Sequence, residues 1–135
     1  MRTGRAFTAF TMGLLTAAFA TAAWGQQAPS VKREVVEKHD LGAPGREGIM
    51  AVVEIPAGGR EGRHIHPGAD VFAYVMAGTM ELDVDGQPRA TLKAGDHFFI
   101  PAGKVHEGIN ATSTPVKIVG VFVNEKGKPL TTQVP

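Results

Sequence analysis

The chain has no cysteine. That excludes disulfide staples and a lipid anchor built on a cysteine. No adjacent arginine pair occurs near the N-terminus, which argues against a twin-arginine export signal. Charge of neither sign is in excess: 14 Lys and Arg face 13 Asp and Glu over 135 residues, a formal net charge of +1. Without a basic stripe, nucleic acid is excluded as a partner. Helical periodicity is also missing, since no stretch after residue 25 sustains it over ten or more residues. The one long apolar run, Ala6 to Trp24, is laced with threonine and short for a membrane span. Internal repeats and low-complexity segments are absent as well.

What is present begins with that apolar run. Arg2 and Arg5 precede it, and small residues close it at Ala23-Trp24-Gly25. A basic start, an apolar middle and a small-residue end describe a secretory signal peptide. The expectation is cleavage after Gly25, with Ala20-Thr21-Ala22 as the second candidate. Removing residues 1–25 removes two arginines and no acid, so the formal charge passes from +1 to −1. The remainder is expected to be one exported domain, periplasmic or secreted, that meets a membrane only through the signal segment. Residues 26–40 are read as an N-terminal arm and edge strand, and residues 41–135 as the folded barrel.

Seventeen glycines and nine prolines punctuate the chain. After the arm they separate short apolar stretches at steps of roughly 8–12 residues, the spacing of an all-β sandwich or barrel. Val31 to Lys38 reads as an edge strand and Leu41 to Gly48 as a loop. Strands are then expected at Ile49–Ile55, Arg63–His66, Val71–Met76, Met80–Val84, Ala90–Leu92, His97–Ile100, Val105–Ile109 and Val116–Val123. Met80 to Val84 alternates apolar with acidic residues, the mark of a half-buried strand. Asp85-Gly86 is a hairpin turn.

Two frames of glycine and proline enclose three histidines. The first is Gly58-x5-His64-x-His66-x3-Asp70, and the second is Gly95-x5-Pro101-x-Gly103-x2-His106-x3-Asn110. Spacing by two puts His64 and His66 on one face of a strand. His106 returns after a turn at Pro101-Ala102-Gly103. Converging neutral imidazoles suit Zn, Cu, Fe, Mn or Ni. His39, in a charged segment, is read as solvated, and His97 as structural. Arg60, Glu61, Arg63 and Lys104 border the motif turns. They are read as solvated loop charges, with attraction of an anionic substrate as the alternative. Phe72, Tyr74 and Met76 share one strand face, as do Phe98 and Ile100, and both sets are read as core or dimer contact.

These frames resemble the two motifs of the cupin superfamily, small barrels of jelly-roll type also described as a double-stranded β-helix. The resemblance covers Gly58 to Asn110, with 16 residues between Gly78 and Gly95, as in compact bacterial members. It implies that His64, His66 and His106 ligate a divalent transition metal, with an acidic residue of the first motif as the fourth ligand. Here the chain departs from the pattern. Counting forward from His66 gives Asp70; counting back from Gly78 gives Val71. Alternation sends those two side chains to opposite faces. Asp70 as fourth ligand, or water in its place, are the two alternatives.

The resemblance implies a metal-dependent enzyme acting on a small organic molecule, as a dioxygenase-like oxidoreductase or as an isomerase or lyase. The alternative is a non-catalytic barrel that binds a metal or a small ligand. No catalytic group beyond the ligands is identified, and no organic cofactor is expected. A homodimer is expected through Val31–Lys38 or Val116–Val123.

Overall fold

A computed structural model describes residues 30–135; the expected signal peptide, with its expected cleavage after Gly25, lies outside the described residues. Ten strands follow one another: β1 (Lys32–Asp40), β2 (Arg46–Ile55), β3 (His64–Ile65), β4 (Ala69–Ala77), β5 (Thr79–Val84), β6 (Ala90–Lys93), β7 (His97–Ile100), β8 (His106–Ile109), β9 (Val116–Glu125) and β10 (Thr132–Gln133). They form two antiparallel five-stranded sheets, ordered β1-β2-β9-β4-β7 and β10-β3-β8-β5-β6. The fold is all-β, a single jelly-roll barrel of the double-stranded β-helix type.

Period-two patterning builds the interior. In β2, Ile49, Ala51, Val53 and Ile55 are buried; in β9, Val116, Ile118 and Phe122; in β4, Ala69, Val71, Ala73 and Val75. Met80, Leu82 and Val84 of β5 meet them from the opposite sheet in one core. Each such side chain larger than alanine contributes roughly 1.5–3 kcal/mol on leaving water. Turns between strands need left-handed backbone. Gly78 has φ 81°, and a Cβ there would lie 2.5 Å from the Pro115 carbonyl oxygen. A side chain at that corner would force β4 and β9 apart.

Two expectations change. Residues 46–48 lie in β2 rather than in a loop, paired with Glu125, Asn124 and Val123 of β9. The segment Val116–Val123 is not an edge, because β9 is hydrogen-bonded to β2 on one side and β4 on the other. β1 is an edge strand, paired only with β2 and exposed along all nine residues.

Candidate metal centre

His64 and His106 lie directly opposite each other in the β3–β8 register, which sets both imidazoles on the same face. His66 follows two residues after His64, where the chain turns at Pro67-Gly68. The second frame's turn is tied to the first, since the Gly103 N–H donates to the His66 carbonyl at 2.9 Å. Asn110, fully buried, explains why that frame ends on an asparagine. Its Nδ2 donates to the carbonyls of Ile55, Pro56 and Thr114, and its Oδ1 accepts from the Thr112 N–H and hydroxyl. One amide thus locks the loop entering the first motif to the loop leaving the second.

Ligand atoms of His64, His66 and His106 all lie within 4.8 Å of one another, and all three residues are buried. Each Nδ1 contacts a backbone carbonyl: His64 that of Gly62 at 2.8 Å, His66 that of Leu130 at 2.6 Å, His106 that of Lys104 at 2.9 Å. A carbonyl only accepts, so each Nδ1 carries the proton and donates. What remains free on every ring is the Nε2 lone pair. Fixing the tautomer from outside in this way is how proteins prepare imidazole ligands. Burial holds His66 at a pKa of about 4, opposed by its bond to the Leu130 carbonyl. His106 is pushed down to about 4 for the same reason. At neutral pH both rings are therefore uncharged bases. Three imidazole nitrogen donors, each with Nδ1 committed to a carbonyl, fit a divalent transition ion.

Asp70 is not in this group. Between the buried Ala69 and Val71 on β4 it faces the other way, and its Oδ1 accepts the Ala102 N–H at 3.0 Å. It braces the turn that delivers His106. Val71 occupies the inward position and lines the cavity. Alternation along β4 decides between the two counts made from the sequence: position 71 faces in, and its side chain carries no ligand atom.

A cavity of about 100 Å³ opens beside the three imidazoles. Its walls are largely apolar, including Val53, Phe98, Ile100, Ile118 and Phe122. The Phe122 ring stands edge-on to His66 at 5.1 Å between centroids. Phe98 and Ile100 thus face inward. Phe72, Tyr74 and Met76 do not belong to the core: they lie exposed on the outer face of their sheet. His39 is exposed and paired with Glu37, and His97 is exposed on β7.

Glu107, Leu130 and Thr131 are not legible in the sequence as site components, whereas Arg60, Glu61 and Arg63, read there as solvated loop charges, are each paired in the fold. Glu107 is buried beside His106; it accepts two 2.6 Å bonds from Arg60 and one from the Gly62 N–H at 3.1 Å. The Arg60 bonds hold its carboxyl below the ordinary range against the opposing effect of burial. Because the Gly62 carbonyl receives His64, this chain of bonds aims His64. Arg63 is bound by both carboxylate oxygens of Asp85. Leu130 and Thr131 close the cavity from the C-terminal segment, 64 residues beyond the histidine they orient. Glu61 and Arg33 also reach the wall. Glu61 sits inside the first frame's spacer, and Arg33 interrupts the inward alternation Val31-x-Arg33-x-Val35. Those two positions carry a sequence signal; Leu130 carries none.

The fold and the three imidazoles define a small double-stranded β-helix protein with a histidine group positioned for metal binding. The chain belongs to the cupin family: the cupin domain family Cupin_2 matches residues 51–122. Among curated relatives, it is 33% identical over 72 residues to protein SchB of Streptomyces halstedii, covering 53% of this chain and 51% of that one. It is 38% identical over 55 residues to the dimethylsulfoniopropionate lyase DddQ of Ruegeria pomeroyi, covering 41% and 27%. The chain thus spans about half, or less, of these relatives' length. Among solved structures, DddQ superposes with a TM-score of 0.59 at 26% identity, covering 64% of this chain and 43% of that one. Oxalate oxidase in complex with glycolate gives 0.59 at 28%, covering 65% and 46%. A conserved protein with a double-stranded β-helix domain from Klebsiella pneumoniae gives 0.66 at 21% identity, covering 82% and 89%, and supports the fold alone.

Proposed function

We propose that this cupin is a metal-dependent enzyme acting on a small organic molecule. One observation carries the reading: three imidazoles with Nδ1 committed to backbone carbonyls turn their free Nε2 lone pairs toward one cavity. A bound divalent ion supplies Lewis acidity at a substrate oxygen. The protein's own part is to hold three imidazole donors in place, to keep a fourth side chain out, and to wall the site largely with hydrocarbon. With Asp70 turned outward, coordination positions stay open for substrate or water. The relatives are consistent with such chemistry, since one is a lyase and one an oxidase solved with glycolate.

Two further readings belong to this proposal. Residues 1–25 act as a signal peptide, so the folded domain works in the periplasm or outside the cell. The chain also pairs with a second copy. Support comes from the outer face of the β1-containing sheet, where Met50, Val121, Phe72 and Phe99 follow one another across adjacent strands, each at least 37% exposed. Contiguous apolar surface of this kind marks association sites.

The test is turnover of a panel of keto acids, hydroxy acids, catechols and flavonoids by protein loaded separately with Zn, Mn, Fe, Ni and Cu, beside His106→Ala treated identically. Turnover that the variant loses supports the enzyme. Stoichiometric metal without turnover on any member makes the chain a binding module instead.

A further inference from the structure

Arg33 lies on an inward position of an edge strand. Its register partner is Val53, and the next inward residue, Val35, pairs with Ala51; both partners are core residues. Arg33 and Val35 line the cavity from its open rim, where Val35 is 55% exposed, and there the guanidinium is tethered to a partner. Its pair is Glu61, whose Oε1 accepts from Arg33 Nη2 at 3.2 Å. The Glu61 side chain is 12% exposed and that of Arg33 39%.

Glu61 is held from below. Its N–H donates to the Gly108 carbonyl at 2.9 Å. Its Oε2 rests over Gly108, where a Cβ would come within 2.5 Å. Any larger residue at 108 would displace the carboxylate, so a glycine in β8 makes its berth. The guanidinium is thus hung from a fixed acceptor, while a guanidinium has five donors and this bond uses one. Among the described residues, Arg33 is also the only Lys or Arg side chain on the cavity wall.

Charge balance then favours an anion. No imidazole brings negative charge, Asp70 stays outside, and Glu61 and Arg33 cancel, so a divalent ion's charge is uncompensated. The remaining wall is largely hydrocarbon, from Val53, Val71, Phe98, Ile118 and Phe122, with Thr131 as a polar exception. A cavity of about 100 Å³ has room for several waters at roughly 10–15 Å³ each, and so for a short-chain ligand.

We propose that Arg33 is the specificity-determining residue of this pocket, binding the carboxylate of a small organic acid with a hydrocarbon body while Glu61 positions the guanidinium. The proposal rests on the metal-centre reading and narrows its substrate class to monocarboxylates. The competing role for Arg33 is protective, since inward-pointing charges on edge strands discourage edge-to-edge pairing. That role requires no ligand.

Calorimetry separates the two, using isovalerate and isovaleramide as probes of one shape that differ in charge. Each is titrated into metal-free and zinc-loaded protein, wild type, Arg33→Gln and Arg33→Lys. The expected result in wild type is about 10-fold or greater preference for isovalerate, in both forms, as a charge-assisted hydrogen bond would give. Arg33→Gln should lose that preference and Arg33→Lys should recover part of it, with zinc affinity unchanged in both. Equal isovalerate affinity in wild type and Arg33→Gln overturns the proposal, as does absence of isovalerate binding to wild type or loss of zinc by Arg33→Gln. If wild type binds no zinc, the metal-centre reading fails, and the metal-free titrations still decide the role of Arg33.

Discussion

His66 and His106 are bases kept neutral by burial, and that has a cost which depends on pH. In the unfolded chain an imidazole takes up its proton near pH 6.5, whereas in the fold both do so only near 4. Between those values the unfolded state binds more protons, so stability falls as pH drops through the window. At pH 5 the loss is about 2 kcal/mol per ring. Urea unfolding of the metal-free protein at pH 7.5 and pH 5 should show it, and an unchanged free energy would contradict the neutral assignment. A second prediction concerns Glu107, which neither binds metal nor lines the cavity. Replacing it with Gln weakens the Arg60 bonds and the hold on Gly62, the residue whose carbonyl aims His64. Zinc affinity should fall about 10-fold, the usual effect of loosening a ligand's support, while circular dichroism stays that of the folded barrel. Undiminished affinity would separate Glu107 from the centre.

At the scale of elements, one of the two two-residue strands supports the site out of proportion to its length. β10 is only Thr132–Gln133 paired with β3, yet the residues just before it hold the Nδ1 of His66 and close the cavity. Deleting residues 130–135 should leave the core intact, because Leu130 only packs against its margin. Zinc affinity should drop by about 10- to 100-fold, with thermal unfolding still cooperative; retention of full affinity would contradict the assigned role. This contact also marks the limit of what the sequence discloses. Nine of the ten strands and the three histidines follow from local signals, namely alternation, Gly and Pro punctuation, and the two-residue spacing of His64 and His66, whereas β10 carries no such signal. The choice between Asp70 and Val71 needed the register of β4, which counting from either motif alone could not supply. Orientation of His66 by a carbonyl 64 residues away leaves no local trace at all. The same holds for β9, whose apolar sequence is equally compatible with an edge and with the centre of a sheet.

At the scale of the molecule, the two faces of the β1-containing sheet have opposite fates. One forms the barrel interior; the other carries Phe72 against Phe99, rings 5.0 Å apart, with Met50 and Val121 alongside. If a second copy covers this face, Phe72→Glu should convert a dimer to a monomer in light scattering without loss of zinc affinity. A monomeric wild type at working concentrations would contradict the pairing. Metal binding at this centre requires the three imidazoles to act together at one ion. Anomalous diffraction at the zinc edge, from crystals of the zinc-loaded protein, tests that most directly. The expected result is a single peak bonded to the Nε2 atoms of His64, His66 and His106 at about 2.0–2.1 Å, with Asp70 still on the Ala102 amide. A peak elsewhere, or one bonded to fewer than three of these rings, would contradict it.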